Sequence, residues 1–140
     1  MTRDGDYDLS YPKALWRKRS DFDNRIKFIN ESNAHFYISI HLNSLLQRQY
    51  DGPQVFYNRD NEVSKMAAIK IQEIMNEELR GDRLAKKIPN DVYMYRKLNP
   101  PGVLIECGFL SNYNERIKLT TTEYQKKIAK AIAKAIEMTL

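Results

Sequence analysis

Residues 35–44 read HFYISIHLNS. Phe36, Ile38 and Ile40 alternate with smaller or polar residues, the period of a half-buried strand, and the run ends on His41 before passing into Asn43 and Ser44. A second stretch, PPGVLIECGFLSN at 100–112, repeats the design: Val103, Leu104 and Ile105 lead into Glu106. Two apolar strands that each end near an ionisable group decide how the rest is read.

Working outward, strand character also appears at 53–57 (PQVFY) and 91–95 (DVYMY), beside 35–41 and 102–107. Helical spacing lies between them. Phe22, Ile26 and Ile29 mark one face of a helix near 18–32. Val63, Ala67, Ile71, Ile74 and Leu79 mark a second over roughly 60–80, stopped by Gly81. Tyr124, Ile128, Ala131, Ile132, Ala135 and Ile136 mark a third from about 121 to the end, opened by a Thr cap with Glu123 in its first turn. The alternation predicts an α/β domain with a mostly parallel twisted sheet flanked by helices. Ligands of such sheets sit beyond the carboxyl ends of the strands, where His41 and Glu106 fall.

Composition bounds the class. The chain has 140 residues, 42% hydrophobic and 29% charged, which suits one globular domain. No apolar run approaches the roughly 18 residues of a membrane helix, and MTRDGDYDLS is too polar for a signal peptide. A single cysteine excludes an internal disulfide and a CxxC metal clip. The net charge of +5 admits an anionic partner, but the cations are dispersed. The densest cluster is Arg17-Lys18-Arg19, followed by the pairs Lys86-Lys87 and Lys126-Lys127, most of them on expected helix exteriors.

The two histidines, His35 and His41, share a strand face but stand about 20 Å apart along it, too far to hold one metal ion together. His41, at the open end, is the candidate ligand; His35 reads as a strand-start residue near solvent. Glu106 has three readings: catalysis, an ion pair with a Lys or Arg, or emergence at a sheet edge. Cys107 reads as a buried filler rather than a nucleophile.

FYISIHLNS, GPQVFY, VYMYRKLNPPGVLIECGFLSNYNE and YQKKIAKAIAKAI, in that order, resemble the zinc-dependent N-acetylmuramoyl-L-alanine amidases. MTRDGDYDLS and SIHLNS look like the branch that acts on the spore cortex. The resemblance implies that His41 is a zinc ligand, that Glu106 is the catalytic acid/base, and that Asn43 contacts substrate or shapes a turn. It also implies hydrolysis of the amide between the muramic acid lactyl group and L-alanine of peptidoglycan. The location implied is the cell envelope or exterior, the spore cortex in particular, although the chain displays no export signal.

In the family the other two zinc ligands come from a first-strand histidine motif and a helix glutamate, and neither is found here. The 140 residues therefore read as the carboxyl-terminal portion of a single catalytic domain. On that reading it lacks the first strand, the first helix and most of the second strand, whose end would be MTRDGD. The expected consequences are negligible activity and association through an open sheet edge. An accessory protein is a further candidate partner. Two other readings stay open: a non-catalytic remnant that binds peptidoglycan, and a small basic nucleic-acid binder, against which stands the absence of any helix-turn-helix or aromatic-basic motif.

Overall fold

The computed structural model describes residues 1, 5, 7–58 and 61–140. The expectation that MTRDGD closes an earlier strand falls on residues 2–4 and 6, outside those described. The elements are α1 (Arg17–Glu31), β1 (Tyr37–Asn43), β2 (Gln54–Tyr57), α2 (Glu62–Leu79), β3 (Lys86–Lys87), α3 (Tyr93–Arg96), β4 (Gly102–Phe109), α4 (Tyr113–Leu119) and α5 (Thr122–Thr139). No helix among the described residues is long and apolar enough to cross a membrane.

The sheet order is β1-β4-β2-β3. β1 and β4 run parallel, as do β2 and β3, whereas β2 is antiparallel to β4. The expected α/β sheet is thus present with two kinds of pairing. Gly102 opens β4 directly opposite Tyr37. A Cβ there would come within 2.3 Å of the Tyr37 ring, so only glycine lets the two strands close at this point.

Alternation sorts the side chains into two layers. Val55, Val103, Ile105 and Cys107 point to one face, where α2 (Ala67, Ala68, Ile71, Met75) and α5 (Ile128, Ile132, Ala135) complete the larger core. Tyr37 and Leu104 point to the other, against Ile26 of α1, Tyr95 of α3 and Leu98. At about 25 cal/mol per Å², each fully buried Ile or Val contributes roughly 1.5–3 kcal/mol to this sandwich. Helix ends follow capping rules: Asn61 accepts from Ser64 N at 2.9 Å and Thr121 from Tyr124 N at 3.3 Å.

Two expectations are corrected, the strand at 91–95 and the start of the strand that carries His41. Residues 91–95 are not a strand. Val92 N bonds back to Pro89 O and Arg96 N to Val92 O, so the segment turns and forms the short α3. Its aromatic residues explain this: Tyr95 is 5% exposed against Tyr37 and Ile26, a docking that needs a helical turn rather than an alternating run. α2 stops just before Gly81, as expected: Arg80 is its left-handed C-cap at φ 58° and Gly81 N donates back to Asn76 O. The strand carrying His41 begins at Tyr37, leaving His35 exposed before it, as expected of a residue near solvent. β3 and α4 carry too few residues to show a period.

Candidate functional site

β1 presents Tyr37, Ser39 and His41 to one face by strand alternation. β4 presents Leu104 and Glu106 to the same face, and His41 is the register partner of Glu106. Partners on neighbouring parallel strands lie about 4.8 Å apart and point the same way. The structure therefore brings together, near the carboxyl ends of β1 and β4, two residues that are 65 positions apart in sequence.

Two of the three readings of Glu106 fall. β4 lies between β1 and β2, so Glu106 is not at a sheet edge. Among the described residues no cation pairs with it, and its Oε2 is buried without a hydrogen-bond partner. Loss of water raises its pKa above 4.5, so the carboxyl holds its proton more tightly than an exposed glutamate. A half-buried carboxyl with an unpartnered oxygen and a raised pKa, in register with His41, has the chemistry of a group that takes up and releases a proton.

His41 is exposed as a residue, yet its ring lies against Ser39 and Tyr95. Ser39 Oγ is 3.0 Å from Nε2 and 3.0 Å from Tyr95 Oη, which itself stands 3.5 Å from Nε2. Desolvation, and after it the positive charge of Arg25, holds the imidazole below its ordinary 6.5. His41 is accordingly neutral at pH 7, the form that donates a lone pair to a metal. Arg25 is itself anchored by Asp21, 2.9 Å away. Burial raises the Tyr95 phenol; the Ser39 hydrogen bond opposes that shift and the Glu106 charge adds to it, so these groups sense one another.

Asn43 ends β1, half-buried, and its carbonyl accepts from Leu110 N at 2.7 Å. This joins β1 to the segment after β4 and starts the loop of Ser44 and Leu45, where Leu45 N donates to Ser111 Oγ at 3.1 Å. Cys107 points to the opposite face and is buried, with its thiol pushed up to about 11 by burial and by the Glu106 charge. A thiol so protonated is a filler, as its setting in the apolar stretch suggests.

Sequence reasoning did not identify Ser39, Tyr95 or Arg25. The signal for Ser39 was present, since a residue two before His41 on a strand shares its face. No local signal marks Tyr95 or Arg25, which reach the site only through the docking of α3 and α1.

Among the described residues, no group of three or more His, Cys, Asp or Glu side chains could hold a metal ion. The neutral imidazole of His41 is the right kind of donor for zinc. The kind fits, but the number does not complete a site.

A family profile described as N-acetylmuramoyl-L-alanine amidase matches residues 1–138. The chain is 39% identical over 141 residues to the germination-specific N-acetylmuramoyl-L-alanine amidase of Bacillus subtilis, covering 97% of this chain and 59% of that protein. It thus spans about three-fifths of that relative's length. The CwlD amidase of Clostridioides difficile, solved in complex with the GerS lipoprotein, superposes with a TM-score of 0.91 at 38% identity, covering 99% of this chain and 73% of that one. The catalytic domain of CwlV, an amidase of Bacillus (Paenibacillus) polymyxa, gives 0.72 at 28% identity, covering 82% and 63%. With residues 1–138 matched by the family profile and 97% of its length by a relative 39% identical, the chain belongs to the N-acetylmuramoyl-L-alanine amidase family.

Proposed function

We propose that this chain carries part of the active site of a peptidoglycan amidase that hydrolyses the bond between the muramic acid lactyl group and L-alanine. The observation that carries the reading is the register pairing of His41 with a Glu106 whose Oε2 is unpartnered. Glu106 acts as general base and then general acid, taking a proton from the attacking water and delivering it to the departing amine of L-alanine. Its raised pKa suits both halves of that exchange. His41, kept neutral by desolvation and Arg25 and steadied by Ser39, serves as one metal ligand. Asn43, two residues beyond His41 at the end of β1, contacts substrate.

The family reading calls for zinc, which would lower the pKa of a bound water and polarise the scissile carbonyl. Catalytic zinc normally takes three protein ligands, and the described residues offer one imidazole for that role, so the reading needs two further ligands beyond them. On the chain alone, turnover is negligible. The missing ligand set also favours a second reading for the chain by itself, that it binds peptidoglycan without cleaving it.

The proposed setting is the cell envelope, and the relative named as germination-specific points towards the spore cortex. The solved complex of a similar amidase with a lipoprotein supports an accessory protein as partner.

The test compares the 140-residue chain with a longer form that includes the upstream sequence. The longer form is expected to bind one zinc and release stem peptides. In it, Glu106→Gln keeps zinc and loses turnover by about 10²–10⁴-fold, and His41→Ala loses both. Stoichiometric zinc and cleavage by the short chain, or normal turnover by Glu106→Gln, would falsify the assignment.

A further inference from the structure

The chain contains one tryptophan, Trp16, and it is 80% exposed, beside a Leu15 that is 96% exposed. Both line a groove of about 420 Å³ with Phe22 of α1 and Tyr93 of α3. Among the described residues no ring or cation covers the Trp16 face, whereas Arg19 already stacks on Tyr93 at 3.4 Å. Trp16 also stands at the N-cap of α1 and makes no capping hydrogen bond there. Ser, Thr, Asp or Asn would serve that position better by about 1 kcal/mol. A large exposed aromatic residue at a position where it weakens its own helix calls for a reason outside folding.

The place of the groove supplies one. α1 enters β1 through the short segment 32–36, so the two run in opposite directions and the start of α1 lies toward the carboxyl end of β1. Arg25 is close enough for its charge to act on His41 and Tyr95, which sets the level at which α1 passes the candidate site. Trp16 is nine residues earlier, about 14 Å further along the helix. Asn30, near the end of α1, bonds to Lys97 O and Asn99 N just before β4 begins, so the groove at the start of α1 lies toward the carboxyl ends of β1 and β4, the end that carries His41 and Glu106.

Its chemistry selects among polymers. Of the three cations at the rim, Arg17 is paired with Asp8 at 2.7 Å and Arg19 with Asp23 at 3.6 Å, and Tyr93 Oη donates to Asp23. The third, Lys18, stands over the Phe22 ring at 5.8 Å, so two of the three cations are held by carboxylates, and their ion pairs offer fixed donors and acceptors to hydroxyl and acetamido groups. The electron-rich face of an indole attracts the polarised C–H groups on the flat side of a pyranose ring, as it attracts cations.

We propose that Trp16, flanked by Leu15 and Phe22, is a stacking platform for an N-acetylated sugar of the glycan strand, at a distance from the bond that is cut. The proposal rests on the amidase reading for the identity of the polymer, but the binding itself needs neither zinc nor turnover.

The 140-residue chain is titrated with N-acetylglucosamine hexamer while the emission of its single tryptophan is followed, and variants are compared by calorimetry. A saturable shift to shorter wavelength is expected. Trp16→Ala should weaken binding about tenfold or more, the scale on which a lost stacking contact acts. Trp16→Asp supplies a helix cap, so it should lose binding with an unfolding midpoint at or above the parent's, which separates lost contact from lost fold. No emission change or heat at millimolar sugar overturns the platform, as does undiminished binding by Trp16→Ala. Trp16-dependent binding to phosphatidylglycerol vesicles without sugar binding also overturns it, by making the groove a lipid contact. Cleavage of a short muramoyl-peptide without a glycan strand by the longer form tests the amidase reading separately.

Discussion

Glu106 holds its proton more tightly in the folded chain than in the unfolded one, because burial disfavours its charge. The folded state then binds more protons than the unfolded state between the ordinary value of 4.5 and the raised one, and stability falls as pH rises through that window. Above that window the full penalty is present. Glu106→Gln removes the charge while keeping the shape, so it should be more stable than the parent at pH 7, by about 1 kcal/mol. The gain should shrink as the pH is taken below 4.5, and denaturant unfolding at both pH values reads it. A variant less stable than the parent at pH 7 would show that Oε2 has a partner in solution. Its neighbour Cys107 gives a second test at this scale. With a pKa of about 11, roughly a thousandth of the thiol is ionised at pH 8. Iodoacetamide should therefore label the native chain at least about 100-fold more slowly than the unfolded chain. Fast labelling would reopen a nucleophilic role.

β2 is held to α2 by one buried side chain. Gln72 Oε1 accepts from Val55 N at 2.7 Å and from Gln54 Nε2 at 3.2 Å, while its Nε2 donates to Pro53 O at 3.1 Å and to Asn76 Oδ1 at 2.9 Å. Those four bonds satisfy polar groups that water cannot reach. Gln72→Leu keeps the volume but strands the Val55 N–H, and it should cost about 2–3 kcal/mol in urea unfolding. The exposed neighbour Glu73→Leu should stay within about 0.5 kcal/mol. Equal effects would mean that the network adds nothing beyond packing. Since β2 flanks β4 on the side away from β1, loosening it also frees one wall of the strand that carries Glu106.

The molecule leaves one flank of its sheet uncovered. Among the described residues β1 pairs only with β4, and Ile40 and Leu42 are 60% and 49% exposed. With Cys107, Leu119, Ile128 and Ile132 they line an apolar groove of about 490 Å³ between β1 and α5. An unpaired strand edge beside exposed apolar surface favours self-association. Sedimentation equilibrium should find species heavier than the 16.5 kDa chain, and the double change Ile40→Lys, Leu42→Lys should return it to a monomer. A parent chain that is monomeric at high micromolar concentration and unfolds in one sharp step would refute this.

Much of this architecture is legible in local periodicity. Alternation marks β1, short apolar runs mark β2 and β4, and spacings of three and four mark α1, α2 and α5. Placing His41 and Glu106 at the carboxyl ends of apolar strands came from the same local reading. The segment 91–95 defeated that reading, since its alternation is real but its buried face, Tyr95, is chosen by α1 and β1. Long-range packing likewise decided that β4 lies between β1 and β2, that β2 runs antiparallel, and that His41 and Glu106 share a register. The sequence alone determined α1, α2, α5, β1, β2 and β4 and the chemical kinds of His41 and Glu106. Which of them face one another, and that Ser39, Tyr95 and Arg25 join them, was decided only by tertiary structure, because sheet order and helix docking depend on residues far apart in the chain.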